Sequence, residues 1–514
     1  MKLKIRLLVS ILLSSFYACN ILQAAELRFA PIFGEGMVLQ RNQEVRFWGT
    51  GPESVNITVK IQGKTISTQS NAAGDWKTSL SDLTPGGPFV LELNAGTSTV
   101  SIANVYVGEV WIAGGQSNMQ FTITQLSNGN EYAATATNPD VRYVTIPVMD
   151  YIGQEGSTNV LTWRSATGTL AKGMSAVAYA FARDLQEQLD VPVGVICCSR
   201  GGTLAEAWMS STALAANPGI SIIWNRYEAL LDCWGMDKYD RLYQEYLAEL
   251  ADYIASGSTG PSPQQPMGPK HGNRPGGLYE VMLSRALPYT VKGAIFYQGE
   301  ANIYRAEQYK KLFPALIANW RNDFQQPDMP FYFVQLSNHA SGSNKNTYWT
   351  ELQEAQLETW KTVPHTAMVV SLDYGDSLNI HPQPKEPIGK RLAGCARHLL
   401  YGETNLVYSG PVYKSSVIQG NQVEISFDHT GSGLKVAGNL KSFTICGEDK
   451  VFVPAQAIIQ GDKIIVSSAD VSQPVAVRYG WMNYTDANLF NEEGLPASPF
   501  RTDNFDLTSK GVEY

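Results

Sequence analysis

Residues 114–119 read GGQSNM and close an apolar run, so Ser117 is placed where a buried strand would turn into a helix. A serine at such a turn is exposed at the carboxyl edge of a sheet, facing the free N–H groups of the helix that follows. That arrangement suits an activated hydroxyl nucleophile with an oxyanion site beside it. The same spacing suits a plain helix cap at Ser117. Two more polar turns follow apolar runs. In SRGGT (199–203) the glycines let backbone N–H groups approach a ligand closely, although a simple turn would look the same. In YQGEAN (297–302) Gln298, Glu300 and Asn302 put an amide, a carboxylate and a second amide on one turn.

Serine chemistry near neutral pH needs a base, normally histidine. The chain has six. His398 lies within an amphipathic helical pattern, His429 in a hairpin-like FDHTGSG, His271 in a Pro/Gly-rich stretch, and His365 ahead of a strand. His339 follows a strand and is a minor candidate. His381, in LDYGDSLNIHP, combines a strand end, a loop and nearby carboxylates at Asp373 and Asp376. No HExxH, paired CxxC, calcium-loop, GxGxxG or P-loop pattern occurs, so neither metal nor organic cofactor is expected.

The elements that must position these residues are legible as periodicity. Apolar strands end at Gly115, and recur at Val193–Cys198, Lys292–Tyr297, Phe331–Leu336 and Ala367–Leu372. Between them lie amphipathic helices. Val177, Phe181, Leu185 and Leu189 share one face, as do Ile388, Leu392, Cys395 and Leu399. Strands alternating with helices predict an α/β fold, a parallel five-stranded sheet flanked by helices, with ligands at the carboxyl ends of the strands. Before it, residues 26–104 alternate apolar and polar between turns and predict an N-terminal β-sandwich domain. The α/β domain is expected over 105–404, with an insertion at 217–275. That insertion is helical first and Gly/Pro/Ser-rich later, and is expected to rim the site and sort bulky from small substrates. Residues 405–514 return to short strands and predict a C-terminal β-rich region.

Composition sets the class. With 44% apolar and 17% charged residues among 514, a large core is expected and disorder is excluded. A net charge of −8 without a long basic run speaks against nucleic-acid partners. Lys2, Lys4 and Arg6 precede an apolar run from Leu7 to Cys19, followed by Ala24 and Ala25, which predicts a signal peptide over 1–24 and a secreted or periplasmic protein. Lipidation at Cys19 is the competing reading. No segment is long enough for a transmembrane helix. The five later cysteines are odd and scattered, with Cys197 and Cys198 expected in the core.

Five blocks in order carry a resemblance over about 470 residues: MVLQRNQEVRFWGTG with GDWKTSLSDLTPGGPF, VGEVWIAGGQSNMQ, GLYEVMLSRALPYTVKGAIFYQGEANI, NIHPQPKEPIGKRLA and NEEGLPASPFRTD. The chain resembles the sialate O-acetylesterases of the wider SGNH hydrolase superfamily. The resemblance implies an esterase acting on O-acetylated carbohydrates, 9-O-acetylated sialic acids first, with acetylxylan or another plant glycan as the alternative. A carbohydrate-binding protein without catalysis is the reading from a different class. It also implies Ser117 as nucleophile and His381 as base. The oxyanion hole would combine the Ser117 and Gly201 N–H groups with a side-chain amide, Gln298 or Asn302. The superfamily aspartate three residues before the histidine is replaced by Leu378, and Asn379 follows. The acid is therefore expected at Glu300, with Asp376 as the alternative, then Asp373 or a dyad.

Overall fold

The computed structural model describes residues 26–154, 161–340 and 347–513. The expected signal peptide and the alternative lipidation site at Cys19 lie outside the described residues. Among those residues no helix is long and apolar enough to cross a membrane.

The central layer contains β1 (Ser98–Gly115), β2 (Val141–Thr145), β3 (Val193–Ser199), β4 (Gly293–Tyr297), β5 (Phe331–Val334) and β6 (Thr366–Val369). Their order is β2-β3-β1-β4-β5-β6, and every neighbouring pair is parallel. A two-residue strand, Arg164–Ser165, closes the β2 edge antiparallel. The five expected strands are thus joined by a sixth, β2, and the layer is not five-stranded. β2 escaped notice because Arg142 interrupts its apolar run. Its guanidinium is covered by the Tyr106 ring, 3.8 Å from the centroid, and it donates to the Gly36 carbonyl.

Both faces of the layer are covered, which is why its strands read as unbroken apolar runs. Alternation along β1 shows the two sides. Trp111 meets Phe181 of α2 (Ala176–Leu189) edge-on at 4.9 Å. Gly114, on the other face, lies where a Cβ would be 2.5 Å from the ring of Trp320 in α4 (Ala306–Asp323). The remaining elements near the site are α1 (Ser117–Gln120), α3 (Ser221–Ala255), α5 (Tyr348–Thr362) and α6 (Glu386–Leu400). α6 crosses α2 closely at Gly389, where an added Cβ would be 2.6 Å from that of Ala180.

β1 runs across the expected boundary between residues 104 and 105. Its first half pairs antiparallel with Gly86–Ala95, and Val38–Gln40 pairs parallel with its middle. One hydrophobic core accordingly runs from Leu27 to Val412. The strands after Val412 enclose a second core, from Val423 to Phe500. All five described cysteines are free, and only Cys233 is exposed.

Candidate active site

The turn that presents Ser117 is held by backbone geometry that only glycine permits. Gly115 has φ +132°, and a Cβ there would lie 2.2 Å from the Tyr297 carbonyl oxygen. The next amide, Gln116 N–H, donates to that same carbonyl at 2.9 Å. The Gln116 side-chain oxygen accepts from the N–H groups of Gly299 and Ala301, each at 3.3 Å. The nucleophile turn after β1 and the YQGEAN turn after β4 are therefore one stitched unit. Ser117 opens α1 and is half-buried.

Gly201, in the turn after β3, lies against Ser117: a Cβ on it would be 3.3 Å from that of Ser117. Its N–H donates to the Gln120 side-chain oxygen at 2.7 Å. His381 arrives on the loop between β6 and α6. Asp376 Oδ1 accepts from the N–H groups of Leu378 (2.8 Å) and Asn379 (3.0 Å), and Asn379 Oδ1 accepts from His381 N–H (2.9 Å). These two local turns shape the loop. Ser117, Gln120, Phe121, Thr122, Gln125 and His381 line one cleft of about 340 Å³. Burial, followed by the charges of Lys385 and His339, holds the His381 imidazole below its ordinary value.

The chain is similar to several known proteins. Residues 267–397 match the family described as carbohydrate esterase, sialic acid-specific acetylesterase. The sialate O-acetylesterases of Mus musculus and Homo sapiens are each 29% identical over 92% of this chain, covering 94% and 92% of their own lengths. A solved carbohydrate acetylesterase from Xanthomonas citri is 34% identical over 93% of this chain and 100% of its own, with a TM-score of 0.79. The chain belongs to the sialate O-acetylesterase family. It is an ester hydrolase.

In this family member the other expected residues sit less simply. Gln298 and Asn302 are buried and joined to each other, Gln298 Nε2 donating to Asn302 Oδ1 at 2.7 Å. Gln298 also donates to the Thr203 carbonyl and accepts from the Tyr309 hydroxyl. Asn302 accepts from Ala205 N–H and donates to Glu206. Both amides brace the turns after β3 and β4, and neither lines the cleft.

Glu300 is brought against Asn118, the residue after Ser117, and its partner is not the imidazole. Oε1 accepts from Asn118 Nδ2 at 2.6 Å, and the buried Oε2 has no hydrogen-bond partner among the described residues. Burial pushes its carboxyl above the usual range, opposed by the Asn118 bond and by Lys385. Among the described residues no carboxylate hydrogen-bonds the His381 ring. Asp376 is exposed and turned to its own loop. Asp373 is held by Arg391 in a bidentate pair at 2.8 and 2.7 Å. His339 packs against Trp349, the rings tilted by 54° with centroids 5.2 Å apart, and its Nδ1 lies 3.1 Å from the Asp376 carbonyl.

Three residues at the site carried no sequence signal of their own. Gln120 occupies Gly201 N–H. Asn118 bonds Glu300, and Lys385 is buried with its Nζ donating to Asn118 Oδ1 at 2.5 Å. Burial pushes the Lys385 ammonium down to about 7, with Glu300 opposing the shift. All three stand inside blocks quoted for the resemblance, but their partners are more than 80 residues distant.

Proposed function

We propose that this chain is a serine O-acetylesterase in which Ser117 attacks the acetyl carbonyl of an acetylated sugar and His381 acts as general base. The observation that carries this is the shared cleft of Ser117 and His381, with Gly201 N–H packed against the serine. His381 takes the Ser117 proton as Oγ bonds to the carbonyl carbon. The resulting oxyanion is met by Gly201 N–H, from which the Gln120 oxygen must first withdraw, and by Ser117 N–H. Collapse breaks the C–O bond to the sugar, whose alkoxide takes the proton back from the imidazolium. Water then attacks the acetyl-enzyme with His381 again as base, releasing acetate. Such oxyanion donors contribute about 3–4 kcal/mol each in comparable hydrolases.

Glu300 enters this scheme through Asn118, so Ser117 and His381 work as a couple. Sialic acids bearing 9-O-acetyl groups are the substrate we favour, because the mammalian relatives are named for sialate. The Xanthomonas relative is named only for carbohydrate, which keeps acetylated plant glycans as the second reading. The basic-then-apolar leader supports export, and the alternation of strands and helices supports an SGNH-type layer.

Ser117→Ala is expected to cut turnover of p-nitrophenyl acetate about 10⁴-fold with the fold intact, the scale seen when a serine nucleophile is removed. Acetate released from O-acetylated sialoglycans and from acetylxylan by the unaltered protein then ranks the sugars. Retention of a tenth of the activity by Ser117→Ala would discard the nucleophile.

A further inference from the structure

Asn118, the residue after the nucleophile, is 2% exposed and touches no reacting atom in the scheme above. Its carboxamide nevertheless joins three separate elements. Nδ2 donates to Glu300 Oε1 (2.6 Å) and to the Ile380 carbonyl (3.0 Å), while Oδ1 accepts from Lys385 Nζ (2.5 Å). A lysine ammonium donates, and the Ile380 backbone carbonyl can only accept. The amide therefore has one workable orientation, oxygen towards Lys385 and nitrogen towards Ile380. An amide nitrogen carries two hydrogens, and both are used.

Ile380 is the residue before His381. Apart from the Lys385 bond, the other bonds described for the loop end outside Ser117–Gln120: Asp376 N–H donates to the Asn338 carbonyl (3.1 Å), the Ser377 carbonyl accepts from Ala340 N–H (3.3 Å), Asp373 is held by Arg391, and the Gln383 side chain accepts from Ser127 N–H (2.8 Å) and donates to the Gln125 carbonyl (3.5 Å). The Asn118–Ile380 bond is thus a direct tie between the short helix bearing the serine and the backbone bearing the histidine. Lys385 is further caged by the rings of Phe121 and Tyr297, 4.9 and 5.8 Å from its Nζ.

We propose that Asn118 is the positioning residue of the site: its bond to the Ile380 carbonyl sets His381 over Ser117, and Glu300 with Lys385 clamps the amide in the orientation that makes that bond. The proposal rests on the Ser117–His381 reading. It accounts for a buried carboxylate that does not touch the base, and it gives Glu300 a role through another residue. Displacements of about 1 Å in a reacting pair can cost about 10²-fold in rate.

A charge-swapped pair of substitutions isolates the bond. Asn118→Asp keeps an oxygen for Lys385 but faces Glu300 with a second carboxylate. Adding Glu300→Gln restores a donor–acceptor pair between positions 118 and 300 and returns the net charge. Aspartate still cannot donate to the Ile380 carbonyl. With p-nitrophenyl acetate, Asn118→Asp is expected to lose both melting temperature and kcat. The double variant should recover most of the melting temperature, while kcat stays at least 10-fold below the unaltered protein and KM stays within 3-fold. Recovery of kcat together with melting temperature would overturn the proposal. Should the double variant melt as low as Asn118→Asp, then Asn118→Ala decides, assayed where its circular dichroism equals that of the unaltered protein. A 10-fold loss in kcat at constant KM supports the positioning role, and kcat within 3-fold overturns it. Ser117→Ala and His381→Ala run alongside: full activity in either would sink the underlying reading, whereas their inactivity beside active Asn118 variants would sink this proposal alone.

Discussion

At His381 two influences act in the same direction. Partial burial disfavours the imidazolium, and the Lys385 and His339 charges repel it, so the neutral, proton-accepting form persists to lower pH than for a free imidazole. A base must be unprotonated to work, so kcat/KM should fall as pH drops through this lowered value. The midpoint of that acid limb is expected below the ordinary value of about 6.5. Lys385→Met removes a positive neighbour, makes the imidazolium less costly, and should move the limb upward in pH. An acid limb centred above pH 7, or one that moves down in Lys385→Met, would contradict this account. The turns that carry Ser117 and His381 were legible in the sequence, and the two residues do line one cleft, but only the resemblance set Ser117 apart from a plain helix cap. The partners of Glu300 were not legible: Glu300, Asn118 and Lys385 are far apart in sequence and meet only because β1, β4 and the loop after β6 end on one edge of the layer.

Among the elements, the insertion divides into two parts with different duties. Residues 257–262 are exposed. Asn273 instead grips the turn that carries Gly201, its Nδ2 donating to the Gly202 carbonyl (2.9 Å) and its Oδ1 accepting from Leu204 N–H (3.1 Å). Asn273→Ala is expected to loosen that turn and lower kcat for p-nitrophenyl acetate by about 10-fold, the effect of one poorly placed oxyanion donor being 10²–10³ when it is lost outright. Deleting residues 258–262 should spare the same small ester. Equal losses in the two variants, read as kcat on one substrate, would make the whole insertion a stability element. Periodicity read the first half of this segment as helical, and α3 is found there. Gly235 (φ +66°, ψ +160°) breaks α3, and the apolar pattern with it, in the middle. Periodicity could not show the grip of Asn273, since an asparagine in a Gly/Pro loop looks like any turn residue.

At the scale of the molecule, the strands after Val412 enclose their own core, yet the C-terminal region also bonds to the loop after β5 at the catalytic edge, through Asn338 and His339. Asn338, in the loop after β5, donates to the Thr485 carbonyl (2.8 Å) and the Leu372 carbonyl (3.1 Å) and accepts from Thr485 N–H (3.2 Å). Its own carbonyl accepts from Asp376 N–H, at the start of the histidine loop, and Gly375 is packed so tightly on it that a Cβ would lie 2.3 Å from that oxygen. The C-terminal strands therefore support the floor on which His381 stands. Asn338→Ala strands three buried backbone groups, each costing about 1–3 kcal/mol when left unpaired. The guanidinium midpoint is expected to fall. Because the damage is local to one loop, esterase activity should be lost at lower denaturant than far-ultraviolet ellipticity, whereas in the unaltered protein the two should run together. A variant whose midpoint and activity both match those of the unaltered protein would deny the C-terminal strands any part in holding the site.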